Sequence, residues 1–352
     1  MSVPGGVGVV VIGRNEGERL VTCLRSVDRW RASAARRGDV VGPIVYVDSG
    51  SADASVEVAR GFGAEVVSLD PTRPFTAARA RNEGFDRLLR VAPGVGRVQF
   101  IDGDCEMSEG WFDRAVQELD ARPRVAVVYG RVRERFPERS VYNTLCDLSW
   151  DMPVGEVRSC GGIFMVRCPS FREVGGFNPA LIAGEEPDLS LRLRRHGGLI
   201  WRVDAEMCLH DSAMLRFGQW WRRSVRTGHS YAQGHHMHGA AGERHWAFEV
   251  RSMLIWALLV PLLAAVPMYW TRGLSLGVLA LYPLQWWRIR AGQRRRGRTS
   301  REANIFATFI LLEKFANLAG AATFHFNRLR GRETTIIEHK LPAPGAAAGT
   351  HT

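Results

Sequence analysis

Short, uninterrupted apolar runs alternate with helical periods along the first half of the chain. Residues 7–12 form one such run, after which Leu20, Leu24 and Val27 recur at helical spacing. Residues 44–47, 66–67, 98–101 and 125–128 are further runs of strand length, with helical periods over 75–89 and 108–119 between them. Ser51 is placed to cap a helix beginning near Ala54. Strands that are apolar on both faces and separated by helices predict an α/β fold with a mostly parallel, doubly covered sheet.

The second half has a different pattern. Residues 253–270 are eighteen positions without a charge and 273–287 are fifteen more, with Arg272 between them. At ~1.5 Å per residue the first reaches across a hydrocarbon layer ~30 Å thick, and the second falls short. A buried hairpin of a soluble protein is the plainer reading of the same pattern. Trp256, Trp270, Trp286 and Trp287, with Tyr269 and Tyr282, fall mostly towards the segment ends, as in an interfacial belt. Seven arginines then crowd residues 288–301, which marks a cytoplasmic flank. Residues 303–312 and 315–324 are apolar but separated by Glu313 and Lys314, a pattern that predicts an amphipathic helix in the membrane interface. The expected division is an α/β domain over 1–235, then a linker, apolar hairpin (about 250–287) and Arg-rich segment over 236–302. An interfacial helix over 303–330 and a flexible tail over 331–352 complete it.

Length and charge add two constraints. The 352 residues exceed one ordinary domain, and a net charge of +11 calls for an anionic partner. Nucleic acid, lipid headgroups and nucleotide substrates all qualify. Six cysteines without a CxxC pair exclude a zinc ribbon and point to a reducing compartment.

Candidate chemistry gathers at strand ends. Gly13-Arg14-Asn15-Glu16-Gly17 follows the first strand and is not GxGxxG, which disfavours a Rossmann dehydrogenase. Asp48, after the second strand, can accept from a ribose or base, or can simply form a turn. Asp102-Gly103-Asp104 falls at the sheet's carboxyl edge, where open α/β sheets place ligands. Two carboxylates around a glycine can hold a hard divalent cation that also bridges a diphosphate; an ordinary turn is the alternative. In Gly184-Glu185-Glu186-Pro187-Asp188-Leu189, Pro187 suits the first helical position and places Glu186 at the N-cap. The positive helix end would favour ionised Glu185, Glu186 and Asp188, as a general base requires. Capping accounts for one or two carboxylates; a third is surplus. His210 follows a strand over 199–203, and Gln219 leads into Arg222 and Arg223, which could grip a diphosphate or line a solvated helix face.

In this order the residues resemble glycosyltransferase family 2, inverting enzymes of GT-A fold, over roughly residues 7–230. The matching blocks are Asn15-Glu16, Asp48-Ser49, Ala80-Arg81-Asn82-Glu83-Gly84, Asp102-Gly103-Asp104 as the DxD motif, Gly161-Gly162, and Gly184 to Leu189. The resemblance implies a nucleotide-sugar donor bound by Asn15, Glu16, Asp48, Arg81, Asn82 and Asp102, with Glu16 and Asp48 at base and ribose. Mg²⁺ or Mn²⁺ would sit on Asp104, Asp102 and His210. Glu186 stands where the family usually carries an aspartate base, with Glu185 and Asp188 as alternatives. Gln219, Arg222 and Arg223 are similar to the QxxRW signature of processive members, with Arg223 in the tryptophan's place. The implied setting is an anionic inner or plasma membrane, with the catalytic domain cytoplasmic and a lipid-linked or other glycan acceptor. A basic nucleic-acid-binding module explains the arginines but not the acidic residues, so no nucleic-acid partner is expected. A membrane-anchored scaffold without catalysis is the other rival.

Overall fold

A computed structural model describes residues 5–240 and 242–332; the tail expected from residue 331 falls outside them from 333 onward. Among the described residues the chain forms two compact units, one of 5–136 and 149–213, the other of 137–148 and 214–332.

The first unit holds one nine-stranded sheet. Its strands are β1 (Val7–Gly13), β2 (Val41–Asp48), β3 (Glu65–Ser68), β4 (Arg97–Asp102), β5 (Cys105–Met107), β6 (Val125–Glu134), β7 (Gly155–Val157), β8 (Phe164–Arg167) and β9 (Leu199–His210). The spatial order is β3-β2-β1-β4-β8-β6-β9-β5, with β7 also paired to β9. Helices α1 (Glu18–Arg36), α2 (Ser55–Gly61), α3 (Ala77–Val91), α4 (Trp111–Ala121), α6 (Cys168–Glu173) and α7 (Glu185–Arg195) flank it, while α5 (Val141–Ser149) belongs but for its last residue to the second unit. The apolar runs are the core: Val9, Val10, Val11, Ile44, Val98 and Val127 are wholly buried.

The sheet is mixed rather than mostly parallel. Pairs β1–β2, β1–β4, β2–β3 and β6–β9 are parallel, but β8 runs against both β4 and β6, and β5 and β7 run against β9. A parallel neighbour needs a crossover of a dozen or more residues. The Gly103–Asp104 link after β4 is too short for one, so β5 pairs with the end of β9 instead.

Three local features position the site. Gly84 lets α3 sit directly on β1, because a Cβ there would lie 2.5 Å from Val10 Cγ1. Arg81, one turn earlier, is thereby carried under the sheet edge and buried. Helix α7 starts earlier than the proline rule indicated: Gly184, at φ +81°, is the N-cap, so Glu185 and Glu186 are helical and Pro187 is third. Proline is tolerated there because first-turn N–H groups have no intrahelical acceptor. Ser51 does not cap α2; its Oγ accepts the Asn15 N–H at 2.9 Å, and Asp53 Oδ1 receives the Ser55 N–H.

The second unit is helical. Helix α8 (Phe217–His238) belongs here and not with the sheet, since its buried face packs along α12 (Ser300–Leu329). A Cβ at Gly228 would fall 2.0 Å from the Asn317 carbonyl oxygen, and one at Gly320 1.9 Å from that of Val225. The apolar stretch 247–268 runs as α9 (Ala247–Leu254), a π turn (Ile255–Leu259), α10 (Val260–Ala265) and a 3₁₀ turn (Val266–Met268). Pro261 cannot donate to the ladder, which opens at the π turn just before it. The chain then reverses at Gly273, φ +87°, into a 3₁₀ segment (Leu274–Ala280) and α11 (Leu281–Arg295). Ser275 Oγ donates to the Ala264 carbonyl at 2.7 Å and the Tyr282 hydroxyl to that of Trp256, so the two arms form a hairpin. Its tip exposes Tyr269, Trp270 and Leu274.

Two helical stretches, Ala247–Met268 and Ser300–Leu329, are long and apolar enough to cross a membrane by length and composition. The second is one unbroken helix of 30 residues. Glu313 and Lys314 lie within it and pair with each other at 3.1 Å.

Candidate active site

Arg81 is the hub of a buried ionic cluster. Its two terminal nitrogens reach Asp102 Oδ1 at 2.9 Å, Glu186 Oε1 at 3.0 Å and Glu185 Oε1 at 3.2 Å. The guanidinium also lies over the Phe177 ring, 5.4 Å from its centroid. Burial works against its charge, but the three carboxylates outweigh that and hold its proton more firmly than usual. Burial, and then repulsion from Glu185, push Glu186 up to about 7, with Arg81 pulling the other way. Glu186 keeps 16% of its side chain exposed and Glu185 only 5%, so Glu186 is the carboxylate that an incoming group can reach.

Gly162 closes over this cluster. A Cβ there would lie 2.6 Å from an Arg81 terminal nitrogen, 3.1 Å from Glu186 Oε1 and 3.3 Å from Asp102 Oδ2. Only a residue without a side chain leaves the ion pairs in place. Gly162→Ala is expected to cost ~1–3 kcal/mol of stability, as overpacking does. Its loss of transfer rate should exceed what that figure explains; urea unfolding and initial-rate assays on one preparation compare the two.

Asp104 and His210 form a second centre. Antiparallel pairing sets Cys105 opposite His210, and His210 Nε2 lies 3.2 Å from Asp104 Oδ1. Ligand atoms of Asp104, Cys105 and His210 lie within 4.8 Å of one another, the one such group among the described residues. Burial pushes the Cys105 thiol well up, so it stays protonated and is no ligand for a hard ion. A buried carboxylate oxygen and an imidazole remain, a donor set that fits Mg²⁺ or Mn²⁺. Asp102 has one oxygen on Arg81 and its Oδ2 towards Gly162.

The other expected site residues divide into two groups. Asn15, Glu16 and Asp48 gather where the loops after β1 and β2 meet. Asn15 Oδ1 accepts the Ala52 N–H at 2.7 Å, and Asp48 Oδ2 accepts those of Gly50 and Ser51 at 3.0 and 2.9 Å. Glu16 is buried and pairs with Arg19 at 2.8 Å. These contacts shape a rim beside Gly13 and Gly103, both within about 3.2 Å of Glu16 Cγ if given a Cβ.

The second group is engaged elsewhere. Asn82 uses its whole amide on the Phe177 main chain, accepting at 2.9 Å and donating at 2.8 Å. Asp188 is buried and its Oδ2 accepts from Arg192 at 2.7 and 2.9 Å. Gln219 Oε1 accepts the Leu215 and Arg216 N–H groups, both at 2.9 Å, and so starts α8. Arg223 donates to Cys146 Sγ at 2.8 Å, and Arg222 is exposed on the same helix in the second unit. Gly184 and Phe177 escaped the pattern reading. Gly184 was visible only as part of a motif, and nothing in the periodicity marks Phe177 as the surface beneath Arg81.

Residues 8–172 match the family described as Glycosyl transferase family 2. That stretch carries a glycosyltransferase family 2 domain, and the chain is a transferase. Glycosyltransferase AglE of Haloferax volcanii is 25% identical over 238 residues, covering 64% of this chain and 73% of AglE. The solved mannosyltransferase PcManGT of Pyrobaculum calidifontis, in complex with GDP-Man and Mn²⁺, superposes with a TM-score of 0.54 at 16% identity. That match covers 92% of this glycosyltransferase and 87% of PcManGT, and it gives the first unit its GT-A fold.

Proposed function

We propose that this glycosyltransferase moves a sugar from a nucleotide-sugar donor to an acceptor hydroxyl with inversion, depends on a divalent metal, and works in cell-envelope or lipid-linked glycan assembly. The observation that carries it is Glu186, reachable, tied by Arg81 to Asp102, and with a proton affinity near neutrality. A general base acts best when its pKa lies close to the working pH.

Glu186 takes the proton of the acceptor hydroxyl as that oxygen attacks the anomeric carbon from the face opposite the nucleotide. Arg81 fixes Glu186 relative to Asp102, so base and donor pocket keep one geometry. Asp104 and His210, with Asp102, would hold the divalent ion, which supplies positive charge to the departing diphosphate. Asn15, Glu16 and Asp48 line the pocket rim, where base and ribose would lie. PcManGT, named with GDP-Man and Mn²⁺, supports donor class and metal by likeness of fold.

The apolar hairpin with its exposed aromatic tip supports attachment to an inner or plasma membrane. A paired hairpin keeps the Arg-rich segment at residues 288–301 on the same side as the catalytic unit, the cytoplasmic side, where it meets anionic lipid. Helix α12 stays on that side as well, because backbone contact at Gly228 and Gly320 ties it to the polar helix α8.

Nucleotide-sugar turnover by the purified chain, with Mg²⁺ or Mn²⁺ against chelator, tests the reading. Asp104→Asn is expected to lower donor turnover by ~10²-fold or more, the scale of losing one charge-stabilising group. It should also raise the metal concentration needed for half-activity. Turnover untouched by chelator and by this variant would leave the proposal without its metal.

A further inference from the structure

A groove of about 310 Å³ opens between α11 and α12 in the second unit. The two helices meet there in three antiparallel rungs of graded polarity. Arg290 Nε donates to Asn304 Oδ1 at 2.7 Å, Trp286 Nε1 donates to Thr308 Oγ1 at 3.0 Å, and the Tyr282 ring stacks 6.4 Å from that of Phe315. From the first rung to the second both helices advance four residues. From the second to the third α11 again advances four, but α12 advances seven. That mismatch of three residues, ~4.5 Å of rise, spreads the helices and leaves Pro283, Leu311 and Leu312 as walls of the open space. Leu312 and Phe315 stay exposed along it.

The polar end of the groove carries an uncompensated charge. Arg290 spends Nε on Asn304 and lays its guanidinium 6.0 Å from the centroid of the Trp286 ring. Its two terminal nitrogens have no partner, and no carboxylate pairs with it, among the described residues. An amphiphile with an anionic head and a slim tail has the same polarity gradient. A phosphodiester accepts two parallel bonds from the open edge of the guanidinium. The ester region then meets Trp286 and Thr308, as headgroup-level atoms meet an aromatic belt. A volume at the low end of ligand pockets (~300–1,000 Å³) suits one hydrocarbon chain. We propose that this groove binds one anionic phospholipid, with its phosphate on Arg290 and one acyl chain along Pro283, Leu311 and Leu312. The proposal rests on the membrane attachment proposed above and deepens it, from a general attraction by the Arg-rich segment to a single lipid held in place.

Native mass spectrometry of the full chain in zwitterionic detergent, titrated with phosphatidylglycerol and separately with phosphatidylcholine, tests it. One phosphatidylglycerol should stay bound per chain, ~10-fold or more tighter than phosphatidylcholine, the scale of hydrogen bonds to a charged group. Arg290→Gln should remove that preference. Arg288→Gln, the same loss of charge roughly 200° round the helix, should keep it. Leu312→Trp, on an exposed side chain, fills the groove and should weaken both lipids. Equal losses in Arg290→Gln and Arg288→Gln would overturn the site in favour of diffuse attraction. Unchanged binding in Leu312→Trp would overturn it too, and so would a lipid-free dimer that this variant dissociates, since a second copy would then own the groove. Carbonate extraction of membranes separates the two readings. A chain that stays in the membrane without preferring phosphatidylglycerol defeats the groove alone; a chain stripped from the membrane that still retains one phosphatidylglycerol defeats the attachment alone.

Discussion

Arg81→Met is expected to destabilise the α/β unit by about 3–5 kcal/mol at neutral pH, the cost of stranding buried charges, and to abolish transfer. Arg81 is the common partner of Asp102, Glu185 and Glu186, and methionine fills its volume while supplying no charge. Asp102, with 31% of its side chain exposed, is partly screened, so most of the loss comes from the two glutamates. Without the guanidinium the Glu186 carboxyl, pushed up by burial and by Glu185, binds its proton more tightly in the folded protein than in the unfolded one. The folded variant therefore gains protons, and stability, as the pH falls below neutrality. Urea unfolding of both proteins at pH 5.5 and pH 8 should show a deficit that is larger at the higher value. A deficit independent of pH would mean that Arg81 contributes packing rather than charge.

That cluster also shows how far pattern reading reaches. Hydrophobic periodicity located β1, β2, β4 and their helices because both faces of those strands are buried, and burial is what the pattern records. It could not separate a parallel from an antiparallel neighbour, since β8 is as buried as β4. The acidic positions at strand ends were visible, but which of them share a space was not. Asp188 and Glu186 are two residues apart on one helix, yet Arg192, one turn on in the same helix, pairs with Asp188, while Arg81 from α3 pairs with Glu186. The capping proline misled by two residues because Gly184 can adopt φ +81° and turn the chain earlier. The capping role of Gln219 was not legible because it depends on where α8 begins.

Glu186→Gln should lower kcat by ~10²- to 10⁴-fold, the usual contribution of a positioned general base, with a smaller effect on donor binding. Glutamine keeps the length and can still meet Arg81 through its oxygen, so fold and geometry survive while the proton acceptor is lost. The pH dependence identifies the group. With Glu186 near pH 7, the rate of the native enzyme should rise as the pH climbs towards neutrality and level off above it. The rise comes from removing a proton from the base. In Glu186→Gln that limb should disappear and leave a flat residual rate. Glu185→Gln removes the like charge that raises Glu186, so the limb should move to lower pH with the plateau retained. Opposite fates for one limb in two neighbouring variants separate a proton acceptor from a residue that merely holds Arg81. An acid limb surviving unchanged in Glu186→Gln would assign the base to another side chain.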